Sequence, residues 1–247
     1  MDTRSAPEAS PAVPAADALD LRAALQLLEH AGLSPGADAA PGSTAWWQAL
    51  VDGLCELSSR DPLTGLSNRR SFELTLAREL GRVTRAGEQA LLLTLDIDHF
   101  KQVNDRHGHA VGDLVLKAVA AVLVDTLRPM DTVARIGGEE FAIVLPNCLP
   151  GVGPTVAERV RRRIAEHRVP LPDGSSLAVT VSLGGAFAPP WVRSSPAVWL
   201  ERADRQLYRA KAEGRNRACF EPVAVSDVSA EEKGLLFSAP MPLQDAE

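Results

Sequence analysis

An apolar stretch from Ala90 closes on Asp96-Ile97-Asp98. Continuous apolar character over that length predicts a strand buried on both faces, whose alternation puts Asp96 and Asp98 on one side and Ile97 on the other. Two shorter runs, Thr132 to Ala134 and Phe141 to Val144, flank Arg135-Ile136-Gly137-Gly138-Glu139-Glu140. They predict a hairpin over 132–145 that aims paired carboxylates outward at a sheet edge. Leu177 to Phe187 reads as a further strand.

Helical spacing fills most of the rest. Leu21, Leu25 and Leu28 predict a helix over 21–33 with Gly32 near its end. From Thr44 a second helix sets Trp47, Leu50, Leu54 and Leu57 in a seam that suits either coiled-coil pairing or plain packing. Ser67 or Asn68 can cap a helix over 70–85. A strong helix over 111–127 has Val111, Leu114, Ala118 and Val122 on its apolar face and Asp113 in its first turn, where the dipole favours a carboxylate. Another helix covers 154–167. The last opens at Ser195-Pro196, runs through Trp199, Ala203, Leu207 and Ala210, and stops at Gly214. Lys211 near its end is what the dipole prefers. Helices and strands thus alternate, which gives an α/β class, and the polar stretch from Phe100 to His109 receives no element.

Composition bounds the organisation. At 247 residues and 45% hydrophobic, the chain supports one core with appendages. Residues 1–20 are Ala- and Pro-rich and expected to be disordered. Residues 21–60 form a helical segment, 61–221 the main domain, and 222–247 a flexible acidic tail. The net charge of -6 comes from the terminal segments, while 61–221 carries more bases than acids. That balance suits a small polyanion and offers no basic stripe for nucleic acid. Cys55, Cys148 and Cys219 share no paired spacing, so neither a disulfide framework nor a zinc site is expected. With no signal-like start and no apolar run long enough for a bilayer, the expected place is the cytoplasm, without a membrane span.

The acids are the candidate chemistry. A strand ending in carboxylates can hold a hard divalent cation, or can be a solvated strand end. His107 and His109 lack a third partner and are set aside as ligands.

Four motifs occur in order: Asp61-Pro62-Leu63-Thr64-Gly65-Leu66-Ser67-Asn68-Arg69-Arg70, Asp96 to Asp105, Gly137-Gly138-Glu139-Glu140-Phe141, and Ala203 to Lys211, the last running on to Gly214-Arg215-Asn216. Together they resemble the GGDEF domain of diguanylate cyclases over 61–221. The resemblance implies a palm-like nucleotidyl cyclase fold, a central mixed five-stranded sheet flanked by helices. It also implies condensation of two GTP into cyclic di-GMP and pyrophosphate by a homodimer. Asp96, Glu139 and the Ile97 carbonyl would hold two magnesium ions, with manganese as an alternative, and Glu140 would act near the nucleophile. Asn104 and Asp113 match the guanine-reading positions; Lys101, Lys211 and Arg215 match phosphate contacts; Gly137 and Gly138 would admit the nucleotide closely. Glu stands at the third signature position where many relatives have Asp. Arg128 and Asp131, with five residues between Asp131 and Gly137, match the family's product-inhibition site, with Arg159 as a secondary contact. Residues 21–60 would pair two chains or receive a regulatory protein. The alternative is a catalytically silent receptor or scaffold for cyclic di-GMP.

Overall fold

A computed structural model describes residues 20–34, 39–188 and 194–222. The expectations for residues 1–19 and for the tail from 223 lie outside those residues. In chain order the elements are α1 (Arg22–His30), α2 (Thr44–Ser59), α3 (Arg69–Ala86), β1 (Ala90–Ile97), α4 (Phe100–His107) and α5 (His109–Thr126). There follow β2 (Thr132–Arg135), β3 (Glu140–Pro146), α6 (Gly153–Glu166), β4 (Val169–Pro170), β5 (Ser176–Leu177), β6 (Val181–Ala188), α7 (Pro196–Ala212) and β7 (Ala218–Phe220).

The main sheet has the order β2-β3-β1-β6-β7. Only β7 runs parallel to its neighbour, so the sheet is mixed and five-stranded, as the resemblance implies. Every residue of β1 is buried, because this central strand is covered on both faces. Leu91, Leu93, Leu95 and Ile97 pack with Val115, Val119 and Leu123 of α5 and Val160 and Ile164 of α6. Leu92, on the other face, joins Phe72 and Leu76 of α3 and Trp199 and Ala203 of α7. Three layers result, with β1 at the centre of the middle one.

The helix starts are made locally. Ser43, Asn68 and Ser195 each accept a hydrogen bond from the backbone N–H three residues on, satisfying a donor that the first turn leaves open. One close approach sets where α7 lies: a Cβ on Gly184 of β6 would overlap the backbone nitrogen of Leu207 and the carbonyl of Ala203. The bare glycine lets helix and strand touch main chain to main chain.

Four sequence expectations change. The polar segment from Phe100 is a helix, α4, which buries only Phe100. The next helix starts at His109, so Asp113 stands beyond its first turn and caps nothing. Its buried face carries Val115, Leu116, Val119 and Leu123 rather than Leu114, which is 36% exposed. The strand expected from Leu177 is two pieces, β5 and β6. In the helical seam only Leu50 is buried, and α1 packs against α2 with Leu28 over Gly53. Among the described residues no helix is long and apolar enough to cross a membrane.

Candidate active site

The antiparallel register of β1 with β3 places Asp96 opposite Glu140. This brings the signature acids to the end of the central strand, not to the sheet edge that hairpin logic suggested. The turn is closed by the Ile136 and Gly137 N–H groups, which donate to the Glu140 carbonyl at 2.9 and 3.3 Å. A Cβ on Gly137 would collide with the Glu140 carboxylate, so the first glycine makes room for that side chain. Nothing crowds Gly138. Its carbonyl instead accepts from Arg135 Nε and Nη2 at 3.2 and 2.8 Å.

Arg135 is itself held. Its Nη1 lies 3.2 Å from Asp61 Oδ1. Burial alone would push the Asp61 carboxyl up, but hydrogen bonds from the Thr64 hydroxyl and N–H and from Arg135 outweigh it and hold the carboxyl below its usual range. Asp61 thus ties the turn after α2 to the signature hairpin. Asp61 belongs to the first of the four motifs, and the sequence signal for its task is Arg135, a cation two residues before Gly137.

From the other side, α7 delivers Lys211, whose Nζ stands 2.8 Å from Asp96 Oδ2. Its place in the last turn satisfies the dipole, and its charge meets a carboxylate that is only 5% exposed. Glu139 completes the cluster. Burial pushes its carboxyl up, neighbouring Asp96 and Glu140 push it the same way, and Lys211 partly offsets them. A cation would relieve this crowding of like charges, though among the described residues no three of His, Cys, Asp or Glu are grouped closely enough to enclose one. Two carboxylates and a carbonyl suit a hard divalent ion that takes its remaining oxygens from substrate phosphate and water. The donor chemistry of Asp96, Glu139 and the Ile97 carbonyl therefore fits magnesium or manganese.

Asn104 sits on α4 against α5. Its Oδ1 is buried without a hydrogen-bond partner, and a Cβ on Gly112 would overlap it. An orphaned buried acceptor invites a donor from outside. Asp113, the next residue after Gly112, is exposed, as are Lys101 and Arg215, and among the described residues no side-chain bond ties any of the three to the cluster. His107 and His109 are also exposed.

Asp98 behaves differently from Asp96. Ser182, the register partner of Asp96, donates to Asp98 Oδ1, so the two acids share a face as alternation requires. Yet Asp98 is taken up by Thr180, Ser182 and the Asn216 N–H.

A second site lies apart from the acids. Asp131, 1% exposed at its side chain, accepts from the Arg128 N–H at 2.8 Å and pairs with Arg128 Nη2 at 3.1 Å. The pair borders a groove of about 480 Å³ with Arg60, Thr64, Ser67 and Leu127. Arg128 remains half-exposed and can meet a ligand there. Arg159 is not in the groove; its Nη2 donates to the Thr126 carbonyl at 3.1 Å.

The family model described as diguanylate cyclase, GGDEF domain, matches residues 58–217. Diguanylate cyclase DgcP of Pseudomonas aeruginosa is 45% identical over 157 residues, which are 64% of this chain and 23% of that protein. The GGDEF domain of DgcB from Caulobacter crescentus, solved with c-di-GMP, superposes with a TM-score of 0.63 at 38% identity, covering 66% of this chain and 93% of that one. Diguanylate cyclase SiaD of Pseudomonas aeruginosa, solved with its activator SiaC, gives 0.66 at 38% identity, over 71% and 66%. The chain spans less than half the length of the curated relatives it matches first. Because the family model matches residues 58–217, well over half of the sequence, this chain belongs to the GGDEF domain family of diguanylate cyclases.

Proposed function

We propose that the protein condenses two molecules of GTP into cyclic di-GMP with release of two pyrophosphates. The observation that carries the reading is the meeting of Asp96, Glu139, Glu140 and Lys211 at the end of β1 and β3. Asp96, Glu139 and the Ile97 carbonyl would hold the divalent cations, whose chemistry there is to neutralise the triphosphate and acidify the attacking ribose 3′-hydroxyl. Glu140 stands beside that position to orient the hydroxyl or take its proton. Lys211, Lys101 and Arg215 neutralise phosphate oxygens. The unpartnered Asn104 Oδ1 supports base recognition, since it can accept from guanine while the Asp113 carboxylate accepts from the N1–H and 2-amino donors. Adenine lacks that donor pair, so GTP is preferred over ATP.

One domain holds one GTP, so the product forms between two copies of the chain. The Arg128 and Asp131 pair is assigned to feedback by the product, whose guanine edge and phosphates suit a guanidinium beside a carboxylate, with Arg159 nearby. DgcB bound to c-di-GMP and SiaD bound to its activator SiaC support a feedback ligand and a regulatory partner for members of this family. In this chain the helical segment over 21–60 is assigned to pairing or to such a partner.

The test is incubation of the purified chain with GTP and magnesium. Cyclic di-GMP and pyrophosphate are the expected products. Glu140→Ala should lower the rate by roughly 10²–10⁴-fold, the range of a group acting on the transferred proton. Failure to form any cyclic dinucleotide at high protein concentration removes the proposal.

A further inference from the structure

We propose that Asp98 is a positioning residue: it fixes the turn that carries Arg215 relative to the end of β1, and it does not ligate metal. The inference rests on the reading of Arg215 as a phosphate contact.

Asp98 is 6% exposed and lies one residue past β1. A buried carboxylate requires donors, and this one receives three from distant parts of the chain. Thr180 Oγ1 donates to Oδ2 at 2.6 Å, Ser182 Oγ to Oδ1 at 2.7 Å, and the Asn216 N–H to Oδ2 at 3.0 Å. The Asp98 N–H also donates to the Thr180 carbonyl at 2.9 Å, so main chain and side chain together lock the end of β1 onto the approach to β6.

The third donor belongs to an unusual turn. Arg215 and Asn216 have φ of 64° and 46°, two consecutive side-chain-bearing residues in the left-handed region. Such backbone is disfavoured for residues with a Cβ and persists where the surroundings hold it. Here the Arg215 N–H donates to the Ala210 carbonyl of α7 at 3.0 Å, and Arg161 Nη1 of α6 donates to Asn216 Oδ1 at 2.6 Å. These bonds tie the turn to helices. The bond to Asp98 ties it to the strand that bears Asp96 and Ile97. The exposed Arg215 is thereby presented at a set offset from the acids, on the same helix end that supplies Lys211.

A metal ligand and a clamp respond differently to amide substitution. In Asp98→Asn the amide oxygen still accepts from the Asn216 N–H and the Thr180 hydroxyl, while the amide nitrogen donates to Ser182 Oγ. The clamp survives and the negative charge does not.

The experiment uses the full chain with Asp98→Asn, Asp98→Ala, Arg215→Ala and the Asp98→Ala/Arg215→Ala double variant. Affinity for a non-condensing GTP analogue with magnesium is measured by calorimetry, beside kcat, KM and melting temperature. Arg215→Ala and Asp98→Ala are each expected to weaken the analogue about tenfold, the scale of one hydrogen bond to a charged group. Asp98→Ala should raise KM more than it lowers kcat. Asp98→Asn should stay within about threefold of the parent, and the double variant should be no weaker than the worse single one, because both remove the same contact. Loss with Asp98→Asn as large as with Asp98→Ala overturns the clamp in favour of a charge role, and so do multiplying effects in the double variant. Normal binding by Asp98→Ala beside weak binding by Arg215→Ala removes the clamp and leaves the phosphate contact standing; normal binding by Arg215→Ala removes the phosphate contact itself. If Asp98→Ala does not fold, Ser182→Ala and Thr180→Val each delete one donor, and a smaller loss in the same direction is required.

Discussion

Glu139 is held in a place that resists its charge: it is partly buried, Asp96 and Glu140 crowd it, and only Lys211 compensates. The resemblance of the motifs to the GGDEF family identified all four residues, while spacing alone left the acids as a solvated turn or strand end and Lys211 as a dipole partner. Neither could identify Asp61, whose effect passes through Arg135 to the Gly138 carbonyl, because that relay exists only once the turn and hairpin are adjacent. Gly112 escaped notice for the same reason. Its lack of a side chain reads as a weak helix position until Asn104 is seen against it. Gly112→Ala is expected to displace the Asn104 amide and weaken GTP binding about tenfold, a shift of about 1.4 kcal/mol, with little loss of melting temperature. Calorimetric titration of the variant with a non-condensing GTP analogue checks this; unchanged affinity would separate Asn104 from base recognition.

Among the elements, α7 was the most legible, since Trp199, Ala203, Leu207 and Ala210 are all buried as their spacing predicts. α4 was the least, because a helix that buries Phe100 alone has no apolar period to read. The contact of α7 with β6 depends on Gly184. Gly184→Ala should push the helix away from the sheet, destabilise the fold by about 1–3 kcal/mol as overpacking does, and draw Lys211 away from Asp96. Urea unfolding measures the first effect and the GTP rate at a temperature where the variant stays folded measures the second. On α6, Glu158 is drawn down to about 2 from 4.5, chiefly by its hydrogen bond to Arg161, with Arg162 assisting. A depressed carboxyl stabilises the folded state above its unfolded value and loses that contribution as the pH falls through the folded one. Both partners reach solvent, so the contribution is small, at most about 1 kcal/mol. The melting-temperature deficit of Glu158→Gln should therefore be present at neutral pH and fade between about 4.5 and 2.

At the scale of the molecule, the proposed reaction joins two nucleotides, of which one domain would hold one. In the segment before Asp61, Leu28 and Leu50 are buried, Leu28 against Gly53, but Leu27 and Val51 stay half-exposed or more. Those side chains can be covered by a second copy or by a regulator. The full chain is expected to show a concentration-dependent dimer mass and a specific activity that falls on dilution, while a protein beginning at Arg60 stays monomeric at the same concentrations. Light scattering and a dilution series of the GTP reaction provide the comparison. Equal monomeric masses for both would take the pairing role away from α1 and α2.

By itself the sequence determined the α/β class, the positions of the long periodic elements, the motifs and the set of charged residues available for chemistry. The class and the elements follow from apolar periodicity and turn residues, which act over a few neighbouring positions, and the chemical residues from the resemblance of the motifs to a family. Only the tertiary structure decided that Asp96 faces Glu140, that Lys211 arrives from the far end of the domain, that Asp113 is not a cap, and that Asp98 serves the turn at Arg215 and Asn216. Each of these is a register or a hydrogen bond between segments far apart in the chain, and its partner is named by packing rather than by spacing.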